Sequence, residues 1–280
     1  MARHAAWTAL DRDLAGVPGT ISVYCSSLGS APAYTLAATD THYAASTMKV
    51  AVLAALHRGG FDLDAAVPVR NEFRSAATGE PFGCQQTYDN DDAVWHRLGG
   101  VAPLGWLAER MIVRSSNLAT NLVLSQVGLP AVAGVWHDVG ARHSLVGRLI
   151  EDSAAADAGI TNLVTAADLA ALLGAIALGA ESRGRIAQPA QCRAMLDTLL
   201  AQEVVVDLSA GLPAGTRVAH KNGWVRGVRH GAGVIFPADA PPFVLAVCTT
   251  TPWAVNGHND RACQLVAAVA RCAWAARHTL

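Results

Sequence analysis

The sequence predicts an α/β molecule of the α+β type, in which an antiparallel five-stranded sheet lobe comes from both termini and an all-helical lobe is inserted. Strand-like segments lie near the two ends, whereas apolar residues at helical spacing fill the middle. At 280 residues and 52% hydrophobic content, the chain can bury a large interior. We expect one domain over residues 1–280, with the sheet lobe at 1–45 and 204–280 and the helical lobe at 46–203.

The first predicted elements are two strands and a helix. Thr20–Ser26 alternates and is rich in β-branched and aromatic residues, which is typical of a strand. A turn at residues 28–30 lets Ala33–Ala37 return as a second strand. Ser46–Arg58 has apolar residues at helical spacing and ends at Gly59-Gly60, which predicts a helix.

The remaining elements follow a polar segment, Gly79–Asp92, which we interpret as a loop. Helices are predicted at Leu104–Val127 (interrupted around Ser115–Asn117), Leu169–Leu178 and Gln188–Ala201. Thr165, with Asp168 three residues later, has the pattern of a helix cap, and Pro189 suits a helix start. The last predicted elements are the strands Arg217–Lys221, Ala232–Phe236 and Phe243–Thr250 and the helix Leu265–Ala275.

Composition argues against several classes of function. The formal net charge is -1 and no polybasic run occurs, which argues against nucleic-acid binding. The longest apolar run, Leu169–Ala180, is too short to cross a membrane. The 6 cysteines are widely spaced without a Cys-x-x-Cys or Cys/His cluster, so we expect no metal and no cofactor. A small-molecule substrate and a monomer or homodimer are expected.

The first residues contain no apolar signal core before Asp11. We therefore expect a cytoplasmic protein, or a secreted one if a leader was removed.

The first motif that suggests chemistry is Ser46-Thr47-Met48-Lys49. Residues three apart on a helix share a face, so Lys49 can point at the Ser46 hydroxyl. Burial lowers the pKa of a lysine, and a neutral amine can activate a serine nucleophile. The alternative is a helix-capping serine followed by an ordinary lysine.

Two further motifs follow in order. In Ser115-Ser116-Asn117, a second hydroxyl can relay a proton to a leaving nitrogen and an amide can bind a substrate amide; the alternative is a capped helix break. In Lys221-Asn222-Gly223, a lysine on an edge strand can hold a substrate carboxylate, and glycine permits close approach. The alternative is a hairpin turn at Asn-Gly.

Together, the order, spacing and flanks of the three motifs resemble those of serine β-lactamases and penicillin-binding proteins. The flanking segments 111–122 and 211–220 are similar to class A β-lactamases in particular. The resemblance implies catalytic roles for Ser46 (nucleophile), Lys49 (base), Ser115 (proton shuttle) and Lys221 (electrostatic anchor), and substrate binding by Asn117, Asn222, Gly223 and Trp224. It also implies an oxyanion hole formed by the backbone N–H groups of Ser46 and Trp224.

The sequence departs from the class A pattern in three places. Ser116 replaces the usual aspartate, and Asn222 replaces a threonine or serine that helps to hold a substrate carboxylate. The segment 147–154 lacks the Glu-x-x-x-Asn pattern that supports deacylation in class A enzymes. Asp152, slightly preferred, or Glu151 could act as the deacylation base; a solvated acidic pair is the alternative.

These observations leave three functional hypotheses. The first is a serine acyl hydrolase of the class A fold that hydrolyses β-lactam amides, however slowly. The second is an intracellular esterase, amidase or acyltransferase on a non-lactam substrate in small-molecule biosynthesis. The third, less favoured, is a penicillin-binding domain that is acylated without turnover.

Overall fold

The computed structural model describes residues 5–184, 186–257 and 259–280 and confirms the predicted α+β fold. The strands are β1 (Thr20–Ser27), β2 (Tyr34–Leu36), β3 (His42–Tyr43), β4 (Ala66–Pro68), β5 (Phe73–Arg74), β6 (Pro81–Phe82), β7 (Val101–Pro103), β8 (Leu145–Val146), β9 (Asn162–Val164), β10 (Arg217–Val225), β11 (Val228–Phe236) and β12 (Phe243–Thr250). The helices are α1 (Ala5–Ala15), α2 (Lys49–Arg58), α3 (Asp92–Trp95), α4 (Leu104–Val113), α5 (Asn117–Val127), α6 (Leu129–Asp138), α7 (Ser153–Asp157), α8 (Ala166–Ala180), α9 (Pro189–Leu200) and α10 (Arg261–Ala276).

The main sheet joins the two ends of the chain. Its five strands follow the order β10-β11-β12-β1-β2, and each neighbouring pair is antiparallel. β1 pairs with β12 from Thr20↔Thr250 to Ser27↔Phe243, so the N-terminal strands depend on the C-terminal ones for their partners. β10, which carries the Lys221 motif, lies at an edge.

Both faces of this sheet are buried. On one face, α1 and α10 cover alternate strand residues such as Val23 and Cys25, and Trp7 stacks on Tyr34 with ring centroids 4.5 Å apart. On the other face, the core of the helical segments packs against residues such as Val234 and Ala246. The helical part surrounds α2, whose residues Lys49–His57 are all buried. The first motif is therefore anchored in the middle of the protein.

Several elements differ from the sequence-based expectations. α1 was not predicted, although Trp7, Leu10 and Leu14 provide an apolar helical face that packs on the sheet. The predicted helix at Ser46 starts as a 3-10 turn, Ala45–Met48, which continues into α2. β10 continues past the predicted end at Lys221 to Val225, so Asn222-Gly223 lies within the strand and not in the hairpin turn given as the alternative; the turn follows at residues 226–227.

The caps predicted for two other helices are present. Thr165 Oγ1 accepts a hydrogen bond from the Asp168 backbone N–H at 3.0 Å, and Pro189 is the first residue of α9. In the described residues, no single helix has the length and apolar character needed to span a bilayer. α5 and α6 reach that length only jointly and are bent by 86° with respect to each other.

Candidate active site

Ser46 lies in a strained turn at the wall of a cavity of about 680 Å³. The residue before it, Ala45, has a φ of 44°, in the left-handed region that non-glycine residues rarely adopt. Ser46 is half-buried and lines the cavity, whereas Lys49, at the start of α2, is fully buried behind it. Strained backbone of this kind is commonly found at functional sites.

Lys49 is held by the second motif. Its Nζ donates to the Ser115 carbonyl at 2.7 Å, to Ser115 Oγ at 3.2 Å and to Asn117 Oδ1 at 3.1 Å. Within the described chain, Ser46 Oγ is not among its hydrogen-bond partners. Burial lowers the pKa of Lys49 to about 7, opposed chiefly by the negative charge of Asp89. A large fraction of this lysine is therefore neutral near pH 7.

The second motif forms the break between α4 and α5, as predicted. Ser115 is buried with a φ of 60°, so its backbone is also in the left-handed region. Ser116 caps α5 by accepting a hydrogen bond from the Ala119 backbone N–H at 3.1 Å. This geometry turns the Ser115 carbonyl and hydroxyl towards Lys49.

Asp89 supplies a carboxylate to this turn. Its Oδ2 accepts hydrogen bonds from Ser116 Oγ at 3.1 Å and from the Leu118 backbone N–H at 2.8 Å. The resembled family carries an aspartate at the Ser116 position itself, so the carboxylate here comes from a different segment. Sequence reasoning missed Asp89, because nothing within the polar loop distinguishes it from its acidic neighbours.

In the third motif, Lys221 is fully buried and its Nζ is bound by the next residue. It donates to the Asn222 carbonyl at 2.9 Å and to Asn222 Oδ1 at 3.2 Å. The Asn222 amide donates in turn to the Val204 carbonyl at 3.1 Å and to Asp207 Oδ2 at 3.3 Å. Burial and the neighbouring charge of Lys49 lower the pKa of Lys221. Neither Lys221 nor Asn222 lines the cavity.

Gly223 allows β10 to lie against the turn that carries Ser46. A Cβ at this position would lie 2.8 Å from the Ser46 backbone N and 3.0 Å from that of Thr47. The next residue, Trp224, lines the cavity together with Ser46. The absence of a side chain at residue 223 therefore brings the two backbone segments proposed for the oxyanion hole alongside each other.

Glu151 and Asp152 have different environments. Glu151 lines the cavity, has a φ of 64°, and accepts hydrogen bonds from the Gln85 backbone N–H at 2.7 Å and Asn117 Nδ2 at 3.4 Å. Burial raises its pKa, against the effect of these hydrogen bonds. The structure brings this residue, but not Asp152, into the same cavity as Ser46 and Asn117.

Asp152 instead holds the loop. It caps α7 through the Ala155 backbone N–H at 3.0 Å and accepts hydrogen bonds from Ser75 Oγ at 2.7 Å and the Ala76 backbone N–H at 2.8 Å. Burial opposes its ionisation, but these hydrogen bonds lower its pKa overall. The slight preference for Asp152 over Glu151 therefore does not fit this geometry, because both of its carboxylate oxygens are engaged away from the cavity.

The site as a whole contains a serine, two buried lysines and hydrogen-bonding groups, an arrangement suited to acyl transfer. Within the described ranges, no group of three or more His, Cys, Asp or Glu side chains is arranged to hold a metal ion.

Comparison with known proteins gives consistent results. Residues 5–276 match the model of a family described as the beta-lactamase enzyme family. A curated β-lactamase from Streptomyces fradiae is 33% identical over 151 residues, which is 51% of this chain and 47% of that protein. The match thus spans less than half the length of this relative.

Solved structures show the same fold. The structure of PBP-A is similar with a TM-score of 0.80 and 22% identity, covering 98% of this chain and 96% of that one. A β-lactamase from Sphaerobacter thermophilus is similar with a TM-score of 0.77 and 24% identity, covering 100% and 99% of the two chains. A class A β-lactamase from Mycobacterium abscessus has a TM-score of 0.77 and 20% identity over 97% and 98%.

Proposed function

Because the chain belongs to the beta-lactamase enzyme family, we propose that it is a serine acyl hydrolase that forms an acyl-enzyme on Ser46. The observation that carries this proposal is the position of Lys49, buried behind a serine at the cavity wall, with a pKa lowered to about 7. A lysine in this state can remove a proton at neutral pH.

In the proposed acylation step, Ser46 Oγ attacks the substrate carbonyl carbon and loses its proton to the neutral Nζ of Lys49. A neutral amine retains two N–H groups, enough to donate to the Ser115 carbonyl and Asn117 Oδ1, and has a lone pair for the incoming proton. The backbone N–H groups of Ser46 and Trp224 stabilise the oxyanion. The tetrahedral intermediate then expels the leaving group.

Ser115 is the proposed route for the proton to the leaving group. Its Oγ lies 3.2 Å from Lys49 Nζ, so it can accept the proton from Lys49 while giving its own to the departing nitrogen or oxygen. The proposed role of Asn117 is to bind a substrate amide, with its Oδ1 oriented by Lys49. The family resemblance gives Lys221 an electrostatic role; burial and Lys49 lower its pKa, so a substrate carboxylate close to it would favour its charged form.

Deacylation is proposed to use Glu151. Its carboxylate lines the cavity and hydrogen-bonds to Asn117, and its raised pKa makes it a better base than an exposed carboxylate. A water that gives one proton to Glu151 would attack the ester carbonyl; the bond from this carbon to Ser46 Oγ then breaks, Oγ takes up that proton, and the acid product leaves.

Two substrate classes are candidates. β-Lactam amides are the first, on family grounds. A non-lactam ester or amide is the second, and the engagement of Lys221 by Asn222 favours it, because this weakens the cation available to a leaving-group carboxylate.

The test is time-resolved intact-protein mass spectrometry after mixing with a penicillin, a cephalosporin and an activated ester. Wild type should gain one acyl mass that decays as product forms, whereas Ser46→Ala should gain none. Glu151→Gln should hold the adduct for longer, because its deacylation base is gone. The matched control, Asp152→Asn, should deacylate like wild type in its folded fraction.

Equal activity of Ser46→Ala and wild type on every acyl substrate would overturn the proposal. A wild-type adduct that never decays would instead indicate a penicillin-binding domain without turnover. Slower deacylation in Asp152→Asn but not in Glu151→Gln would reverse the assignment of the base.

A further inference from the structure

Arg148 lies in the wall of the candidate active-site cavity, on the side that residues 148–162 contribute. Its side chain is only 7% exposed, and it lines the cavity beside Tyr43 and Asn162. This wall is separate from β10, which carries Lys221. The cavity therefore has a buried cation that the proposed mechanism does not use.

The guanidinium of Arg148 is poorly satisfied by the protein. Nη2 donates to the Tyr43 hydroxyl and Nη1 to the Leu149 carbonyl, each at a long 3.3 Å. Nε is buried without a hydrogen-bond partner. In the described part of the chain, no carboxylate oxygen lies within 4.0 Å of this guanidinium.

Other arginines that are largely buried are paired with a carboxylate. Arg110 forms a two-point contact with Asp91, and Arg229 Nε lies 3.5 Å from Asp207 Oδ2. Asp152 is the carboxylate whose pKa responds to Arg148, but its oxygens bind Ser75 Oγ and backbone N–H groups instead. A buried charge without a carboxylate partner is unfavourable, and an anionic ligand group would relieve this cost.

The other charges around the cavity restrict where an anion can bind. Lys221 is engaged by Asn222 and does not line the cavity. Glu151 and Asp89 are acidic and lie on the Asn117 side, where they would repel an anion. Arg226 also lines the cavity but is exposed and therefore more strongly screened by solvent.

We propose that Arg148 is an anion-binding residue of this cavity, so that the preferred acyl donor carries a carboxylate on its acyl part. The inference rests on the proposed serine acyl hydrolase function. Ser115 lies 3.2 Å from Lys49, and Lys221 interacts with Lys49, so we place the leaving group on their side and the carboxylate of the acyl part beside Arg148. The two Nη groups, whose contacts to Leu149 and Tyr43 are long, can donate to a carboxylate in the cavity through charge-assisted hydrogen bonds.

The test compares two activated esters of the same shape: mono-p-nitrophenyl glutarate and its analogue with a carboxamide in place of the free carboxylate. Wild type should show a kcat/KM at least about 10-fold higher for the carboxylate ester, as expected for a charge-assisted pair. Arg148→Gln should lose this preference, so that the ratio of the two kcat/KM values falls towards 1. Arg148→Lys should keep part of this preference, because a lysine retains the positive charge but lacks the planar guanidinium that donates two hydrogen bonds at once.

Arg226→Gln is the matched control, since it removes an exposed cation from the lining of the same cavity. It should leave the ratio of the two kcat/KM values unchanged; loss of the preference in this variant would overturn the proposal. If Arg148→Gln does not fold, the preference for the carboxylate ester is compared between wild type and Arg148→Lys. In addition, glutarate, but not glutaramide, should competitively inhibit hydrolysis of the neutral ester by wild type.

Equal kcat/KM values for the two esters in wild type, with both acylating Ser46, would overturn the proposed role of Arg148 but leave the proposed function standing. If neither ester acylates Ser46, the proposed function fails and this inference falls with it.

Discussion

At the scale of single residues, the proposed chemistry depends on how the charge of Lys49 is controlled. The charged and titratable groups that affect it are Asp89, Cys84 and Glu151, which favour its protonated form, and Lys221, which is coupled to it by repulsion. Burial disfavours the charged form more strongly than these three groups favour it, and it lowers the pKa of Lys49 to about 7. A change in one of these neighbours should therefore be visible in the pH dependence of acylation.

The first prediction concerns Asp89. In wild type, kcat/KM for acylation should fall as the pH drops through about 7, because protonated Lys49 cannot accept the Ser46 proton. Asp89→Asn keeps the hydrogen-bond acceptor but removes the negative charge, so the pKa of Lys49 should fall further and the acid limb should move to lower pH. The measurement is a pH–rate profile with an activated ester.

The control for this prediction is the double variant Asp89→Asn with Ser116→Asp. It returns a carboxylate to the start of α5, where the resembled family carries one, and should move the acid limb back towards its wild-type position. An acid limb that stays in place in Asp89→Asn would show that Asp89 does not influence Lys49.

The second prediction concerns Asn222. Asn222→Thr removes the amide oxygen that lies 3.2 Å from Lys221 Nζ and restores a hydroxyl at this position. The kcat/KM for penicillins should rise relative to that for neutral esters, because Lys221 can then attract the leaving-group carboxylate. The variant should also be less stable, by about 1 kcal/mol, since Asp207 loses the hydrogen bond from the Asn222 amide.

Kinetics with one penicillin and one neutral ester, together with urea denaturation, check the Asn222 prediction. An unchanged ratio of the two kcat/KM values would show that Asn222 does not limit carboxylate binding.

At the scale of elements, the site depends on the contact between β10 and the 3-10 turn Ala45–Met48. The third prediction is that Gly223→Ala lowers the acylation rate by about 100-fold, because a displacement near 1 Å at a reacting group has effects of this size. Its Cβ would meet the Ser46 and Thr47 backbone at 2.8 and 3.0 Å, so the strand or the turn must shift. The burst phase of acylation measures the effect.

Gly134→Ala is the matched control for this substitution. Gly134 lies within α6, where an added Cβ meets nothing within 4 Å, so alanine should leave acylation unchanged and raise stability slightly. Wild-type acylation in Gly223→Ala would contradict the proposed role of this strand–turn contact.

At the scale of the whole molecule, a buried lysine with a lowered pKa reduces stability in a defined pH window. The unfolded chain has an ordinary lysine pKa near 10.4, whereas the pKa of Lys49 is about 7 in the folded protein. Below pH 7 the full cost is present, and it disappears as the pH rises towards 10, since the unfolded lysine then loses its proton too.

The fourth prediction follows from this linkage. The free energy of unfolding of Lys49→Met relative to wild type should fall as the pH rises from 7 to 10, whatever its value at pH 7. Urea denaturation of both proteins across this range is the measurement. A difference that stays constant with pH would mean that Lys49 is charged in the folded protein.

The sequence by itself determined the α+β fold, because the strand and helix patterns are local and the strands lie near both ends of the chain. It also predicted Ser46 and Lys49 as a catalytic pair, since residues three apart on a helical turn face the same side; this pairing stays a prediction, because Lys49 Nζ hydrogen-bonds to the second motif. The helix break at Ser115–Asn117 and the cap at Thr165 could also be predicted from the sequence, because turns and caps depend on hydrogen bonds between neighbouring residues.

Only the tertiary structure decided which distant groups meet at the site. Asp89 reaches the start of α5 from another loop, Glu151 turns into the cavity while Asp152 caps α7, and Arg148 stays without a carboxylate. Adjacent acidic residues look alike in a sequence, and their environments differ only once the chain is folded. Burial and long-range hydrogen bonds set these roles, and both depend on segments far apart in the chain.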